Sequence, residues 1–118
     1  MQKSELGHTG EAIAAKYYIK QGYLLLGHNY RTRMGELDLI VYKDDTLVIV
    51  EVKTRSAAGA IRPAEAVDAH KQQRLLAAAG YYLQHSPYAD GNIRFDVVEV
   101  IPTAKGWQVH CIKDAFGC

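Results

Sequence analysis

The chain is poor in the features that announce most small-protein chemistries. It has two cysteines, Cys111 and Cys118, both near the end and outside any C-x-x-C spacing, so neither a structural zinc site nor a redox disulfide has its ligand pattern. Five histidines, at 8, 28, 70, 85 and 110, show no H-x-x-x-H spacing and no evident nucleophile partner, which argues against zinc hydrolase or Cys/His catalysis. No glycine-rich loop of the Walker or dinucleotide type occurs. No run approaches the roughly 18 apolar residues that span a bilayer, and the start, Met1-Gln2-Lys3-Ser4-Glu5, lacks the apolar stretch of a signal peptide. A cytoplasmic protein with no membrane contact is expected. Strong charge is missing too: the formal net charge is +1, so any attraction to phosphate must be local.

What is present is an ordinary folding composition. The 118 residues are 48% hydrophobic and 23% charged, enough for one core and too short for two typical domains, so a single domain over residues 1–118 is expected. Basic residues gather between positions 31 and 74, at Arg31, Arg33, Lys53, Arg55, Arg62, Lys71 and Arg74. Eight tyrosines are present, but Tyr17, Tyr18, Tyr81 and Tyr82 fall where helices need core, which favours packing over base stacking.

The pattern along the chain reads as α-β-β-β-α-β-β. Thr9 can cap a helix from about Gly10 to Gln21, with Gly22 as its stop. Tyr23 to Leu26 is a short apolar strand, followed by a polar loop or edge strand through Arg33. Residues 36–42 and 47–53 are rich in branched aliphatics and flank the polar turn Lys43-Asp44-Asp45-Thr46, which predicts a hairpin. Both faces of the second strand are apolar, as in a central strand covered by helices on each side. Ser56 to Ala60 is loop-like, and Pro63 can start a short helical turn at Ala64 to Val67. Asp68 can cap a long helix to about His85, and strands at Asn92 to Val100 and Trp107 to Ile112 close the fold.

The hairpin places the chemistry. If Tyr42 pairs with Leu47, Asp38 faces Glu51 and Glu36 faces Lys53. Two carboxylates opposed at about 5 Å beside buried aliphatics repel, and a cation between them would relieve that. Mg²⁺ suits the position, because it takes one or two carboxylates and leaves water and substrate phosphate to complete an octahedron. Lys53, two residues past Glu51 on the same face, could hold or deprotonate an attacking water or neutralise charge on a phosphate. E-x-K alone is common by chance; the matching register of Asp38 raises its value. Glu11, early in the first helix, is stabilised by the helix dipole whatever its function, and pointed at the sheet it would be a further ligand or water anchor. Lys71 and Arg74, one turn apart, form either a phosphate clamp or a solvated helix face.

Taken together, Gly10-Glu11, Asn29-Tyr30-Arg31-Thr32-Arg33, Gly35-Glu36-Leu37-Asp38-Leu39-Ile40, Val50-Glu51-Val52-Lys53-Thr54-Arg55 and Arg94-Phe95-Asp96-Val97-Val98 resemble the YraN-type family of bacterial proteins over nearly the whole chain. That family is similar to archaeal Holliday junction resolvases and, through them, to the PD-(D/E)XK nuclease superfamily. The resemblance implies a restriction-endonuclease-like α/β core, a mixed sheet of about five strands flanked by helices. It implies Asp38 and Glu51 as metal ligands, the Val52 carbonyl as another, Lys53 as catalytic lysine, and Glu11 as the acidic residue from the first helix. Lys71 and Gln72 would sit at a polar helix position beside the site. Glu36-Leu37 stands where the superfamily name has its proline, as in the resolvase-like branch. The implied activity is Mg²⁺- or Mn²⁺-dependent hydrolysis of DNA phosphodiesters in repair or recombination, with Arg31, Arg33, Arg55, Lys71, Gln72 and Arg74 toward the nucleic acid. A homodimer would supply the two symmetric sites that cutting a duplex or junction needs. The alternatives are a non-catalytic nucleic-acid-binding module with a vestigial site, and a protein-partner module.

Overall fold

Seven elements follow in the expected order: α1 (Glu5–Lys20), β1 (Leu24–Arg31), β2 (Glu36–Lys43), β3 (Thr46–Thr54), α2 (Ala69–Gln84), β4 (Asn92–Thr103) and β5 (Gly106–Phe116). The computed structural model describes residues 5–55, 69–87 and 91–116. The short turn expected at Ala64 to Val67, Arg62, the cap Asp68 and Cys118 lie outside the described residues. Among the described residues no helix is long and apolar enough to cross a membrane.

The strands form one five-stranded sheet in the order β1-β2-β3-β4-β5. Strands β1, β2 and β3 are antiparallel neighbours, β4 runs parallel to β3 after the α2 crossover, and β5 returns antiparallel to β4. Strand β3 is therefore central, and both of its faces are buried as its unbroken apolar run requires. Helix α1 covers one face, where Ala14 and Tyr18 pack on Leu39, Val41, Val48, Val50, Val98 and Val100. Helix α2 covers the other, where Leu75, Ala78 and Ala79 meet Ile40, Leu47, Ile49, Phe95 and Val97. This is the mixed α/β core expected of a restriction-endonuclease-like fold.

Three local expectations are corrected. Helix α1 starts at Glu5, so Thr9 lies inside it and is not its cap. Gly10, read as the helix start, is instead a point of close approach: a Cβ there would collide with the Thr54 side chain at the end of β3. The hairpin turn is also tighter than four residues. Lys43 pairs with Thr46, and Asp44 and Asp45 turn the chain alone with φ of 50° and 61°, the left-handed geometry of a type I′ turn. Third, Tyr81 is not core; it is 42% exposed.

Candidate functional site

Strands β2 and β3 pair from the turn as far as Leu39 and Val50, and there the ladder stops. Beyond that point β2 stays with β1 down to Arg31 opposite Glu36, while β3 stays with β4 up to Thr54 opposite Val100. The sheet therefore forks. Leu37 and Ile40 both pack in the α2-side cluster although strict alternation would send them to opposite faces, so β2 turns at Asp38 as it leaves its neighbour. Asp38 and Glu51 sit at the mouth of the fork, 4% and 7% exposed.

The register count from the turn is right, but the Asp38/Glu51 pair is not part of the ladder. The Val52 N–H donates to Asp38 Oδ2 at 2.8 Å, so a side chain takes the place of a backbone partner. The two carboxylates meet at this level, and Asp38 acts directly on Glu51. Because the N–H and C=O of a strand residue point to the same side, the Val52 carbonyl also faces the fork.

Positive charge collects on Glu51. Lys53 Nζ lies 3.1 Å and Lys71 Nζ 2.8 Å from Glu51 Oε2. Burial by itself would raise the Glu51 carboxyl, but the Lys71 hydrogen bond and the charges of both lysines outweigh it, with a smaller pull from Asp38, and hold it below its ordinary value. Lys53 is pushed down by burial and by neighbouring Lys71, against the attraction of Glu51. Lys71 goes the other way: burial opposes its charge, yet Glu51 and Lys53 hydrogen bonds and the Glu51 and Asp38 charges raise it, so it remains an ammonium.

These groups line one open cavity of about 430 Å³ formed by Gly35, Glu36, Asp38, Glu51, Val52, Lys53, Lys71, Arg74 and Leu75. The structure thus brings together Asp38, Glu51, Val52, Lys53, Lys71 and Arg74. Gln72 follows Lys71 on α2, half-buried and outside that lining. Glu11 is 5% exposed and lines a different cavity, of about 290 Å³, with His8, Leu25, His28, Asn29 and Leu39. It comes to the same end of the sheet, since neighbouring Gly10 abuts Thr54, but from the α1 face. Arg55 is drawn to Glu99, Nε to Oε2 at 2.8 Å, along the β3/β4 edge of the site. Arg31 and Arg33 line a third cavity with Thr32, Met34 and Tyr81.

The donor set fits a hard divalent cation. Two carboxylates and a strand carbonyl converge on one cavity, and the two ammoniums on Glu51 already mark the place as one that demands positive charge. Among the described residues no group of three or more His, Cys, Asp or Glu side chains comes together to hold a metal. An ion here would complete its shell with water and substrate oxygens, which is how Mg²⁺ is commonly bound.

A mixed α/β domain whose sheet forks around two buried carboxylates and two lysines defines the class. The chain belongs to the uncharacterised protein family UPF0102, whose model matches residues 10–100, as the resemblance to YraN-type proteins led one to expect. It is 45% identical over 116 residues to a UPF0102 protein of Alkaliphilus metalliredigens, covering 98% of this chain and 100% of the relative. It is 44% identical over 112 residues to one of Syntrophomonas wolfei, covering 95% and 97%, and 37% identical over 115 residues to one of Desulforapulum autotrophicum, covering 98% and 95%.

Proposed function

We propose that this chain hydrolyses DNA phosphodiester bonds at the sheet fork, using Mg²⁺ or Mn²⁺ held by Asp38, Glu51 and the Val52 carbonyl. The observation that carries the reading is the separation of β2 from β3 at the level of Asp38 and Glu51, with Lys53 and Lys71 in the same cavity. The ion would supply a Lewis acid for the phosphoryl oxygens and an acidified water. The chain's own groups do the positioning. The Val52 N–H fixes the Asp38 carboxylate. Glu51 holds the Lys53 and Lys71 ammoniums at the cavity wall, where they neutralise charge that develops on a phosphate. Arg74 lines the same cavity and extends the positive wall along α2. Glu11, on the other face, is assigned to support this end of the sheet and to anchor water toward the fork.

Incubation with Mg²⁺ or Mn²⁺ and a panel of branched, flapped and single-stranded DNA should give products that disappear with a chelator and fall at least about 100-fold in Asp38→Ala. Clean protein that yields no metal-dependent product on any member of the panel overturns the proposal. One observation favours a second reading: two lysines already neutralise Glu51, as a docking surface without chemistry would arrange them. DNA binding that weakens steeply with salt and survives Glu51→Ala, without cleavage, would select that module.

A further inference from the structure

The third cavity, about 660 Å³ and lined by Arg31, Thr32, Arg33, Met34 and Tyr81, adjoins the reaction site and is not used by the chemistry above. Its loop is built rather than loose. The Thr32 hydroxyl oxygen accepts from the Met34 and Gly35 amides at 3.0 and 3.1 Å, and its O–H and N–H both donate to the Gly35 carbonyl at 2.9 and 2.8 Å. Arg74, which lines the reaction cavity, donates from Nε to the Met34 carbonyl at 3.0 Å and so ties the two cavities together. Gly35 lies against α2, where a Cβ would be 3.4 Å from the Arg74 carbonyl oxygen, an ordinary contact.

Opposite the loop stands an aromatic surface. The exposed Tyr81 ring lies 4.7 Å from the His85 ring at an interplanar angle of 36°, and 6.4 Å from Tyr30. His85 Nδ1 lies 2.9 Å from the Tyr81 carbonyl, where an N–H donates and orients the imidazole. Arg33 is exposed and makes no ion pair among the described residues, and Arg31 reaches Glu36 at 3.5 Å from a side chain that is 58% exposed. Such a solvated pair yields easily to a phosphate. Lys71 and Tyr81 are ten residues apart on α2, about 15 Å along its axis.

We infer that this cavity binds unpaired nucleotides of the DNA strand that runs into the reaction site, with Tyr81 as the base-stacking platform and Arg31 and Arg33 on the phosphates. This rests on the nuclease reading and deepens it by naming the substrate class. Arginines on one side and an aromatic ring on the other match a chain that alternates phosphates with π-faces, and each stacked base contributes appreciably to affinity. A duplex offers base edges and phosphates to such a surface but keeps its base faces stacked inside. The charge of the cavity likewise favours an anionic strand over an apolar peptide.

The test is fluorescence anisotropy in EDTA, so that no strand is cut, with a labelled oligo-dT and a blunt duplex of equal length. The parent protein should bind oligo-dT at least about tenfold tighter than duplex. Tyr81→Ala should lose about five- to tenfold or more for oligo-dT and little for duplex, whereas Tyr81→Phe keeps the affinity. An unchanged thermal midpoint for Tyr81→Ala shows that an exposed side chain, and not the fold, was removed. Equal affinity for oligo-dT and duplex, or a Tyr81→Ala protein that binds oligo-dT as the parent does, overturns the inference. Binding that follows Tyr81 in a protein that never cleaves would leave the platform standing and remove only the nuclease reading; cleavage of flapped DNA unaffected by Tyr81→Ala would do the reverse.

Discussion

Two buried carboxylates on neighbouring strands face opposite sides of the sheet, and comparing them separates a charge enclosed by its partners from one that opens on a cavity. Asp96, on the α1 side, is fully buried and fully bonded. It accepts from Tyr18 Oη at 2.7 Å, from Arg94 Nε and Nη2 at 2.8 and 3.0 Å, and from the Asp114 amide at 3.0 Å. Arg94 in turn donates to Tyr23 Oη at 2.9 Å. This network fastens α1 and the bulged end of β5 to β4, and leaves no room for a ligand. Glu51, on the α2 side, is almost as buried and also meets cations, yet it opens on a cavity of about 430 Å³. Burial and a charge partner are common to both. Saturated lone pairs mark the first as scaffold, and access to solvent makes the second the candidate for the proposed chemistry.

The largest effect that tests this contrast is on activity. Lys53→Ala should lower metal-dependent cleavage by about 10²- to 10⁴-fold in a timed gel assay while the urea midpoint barely moves; a loss of folding of the same severity would place Lys53 with the scaffold. Asp96→Ala should do the opposite. It leaves Arg94 and Tyr18 Oη without their buried acceptor, and should cost about 3–5 kcal/mol of stability in urea unfolding. A cost below about 1 kcal/mol would mean that the network merely decorates the α1 face.

The pH dependence should also differ between the two sides. Burial, then the negative charge of Asp96, raises the Tyr18 hydroxyl far above its ordinary range. Its folded pKa therefore exceeds its unfolded one, so the stability it contributes is complete below about pH 10 and is lost above it, by at most about 1.4 kcal/mol per pH unit. Half-buried Cys111, shifted upward chiefly by desolvation, pulls in the same direction. Thermal unfolding followed from pH 8 to 11 should show a shallower alkaline decline in Tyr18→Phe than in the parent. The smallest effect is expected from Glu51→Gln, which should change stability by less than about 1 kcal/mol, because water can enter the cavity and solvate the lysines it leaves behind. A larger loss in urea would show that Glu51 is structural after all.

Much of the candidate site's geometry was legible before any coordinates. Asp38 and Glu51 lie within one hairpin, and a polar turn between two apolar runs sets their level by counting; the count held even though Asp44 and Asp45 turn alone. The apolar run of β3 likewise foretold a central strand with helices on both faces. Other parts were misread or not legible. Tyr81 and Tyr82 are adjacent, but Tyr82 lies seven residues after buried Leu75 and near its face of α2 while Tyr81 is about 100° round the helix, so helical spacing was the signal that could have placed Tyr81 outside the core. Glu11 shared a helix face with Ala14 and Tyr18 in the sequence, but which cavity it lines depends on Gly10 seating α1 against Thr54.

The sequence by itself determined the element order, the hairpin register and the identity of the charged residues at its open end, because each depends on neighbours a few residues away. The fork and the saturation of Asp96 were decided by the tertiary structure. Tyr18 and Asp96 are 78 positions apart, and Arg94 and Tyr23 are 71. No local propensity encodes such a meeting. It exists only once hydrophobic burial has brought the two faces of the sheet under their helices, and what burial closes on one side it leaves open on the other.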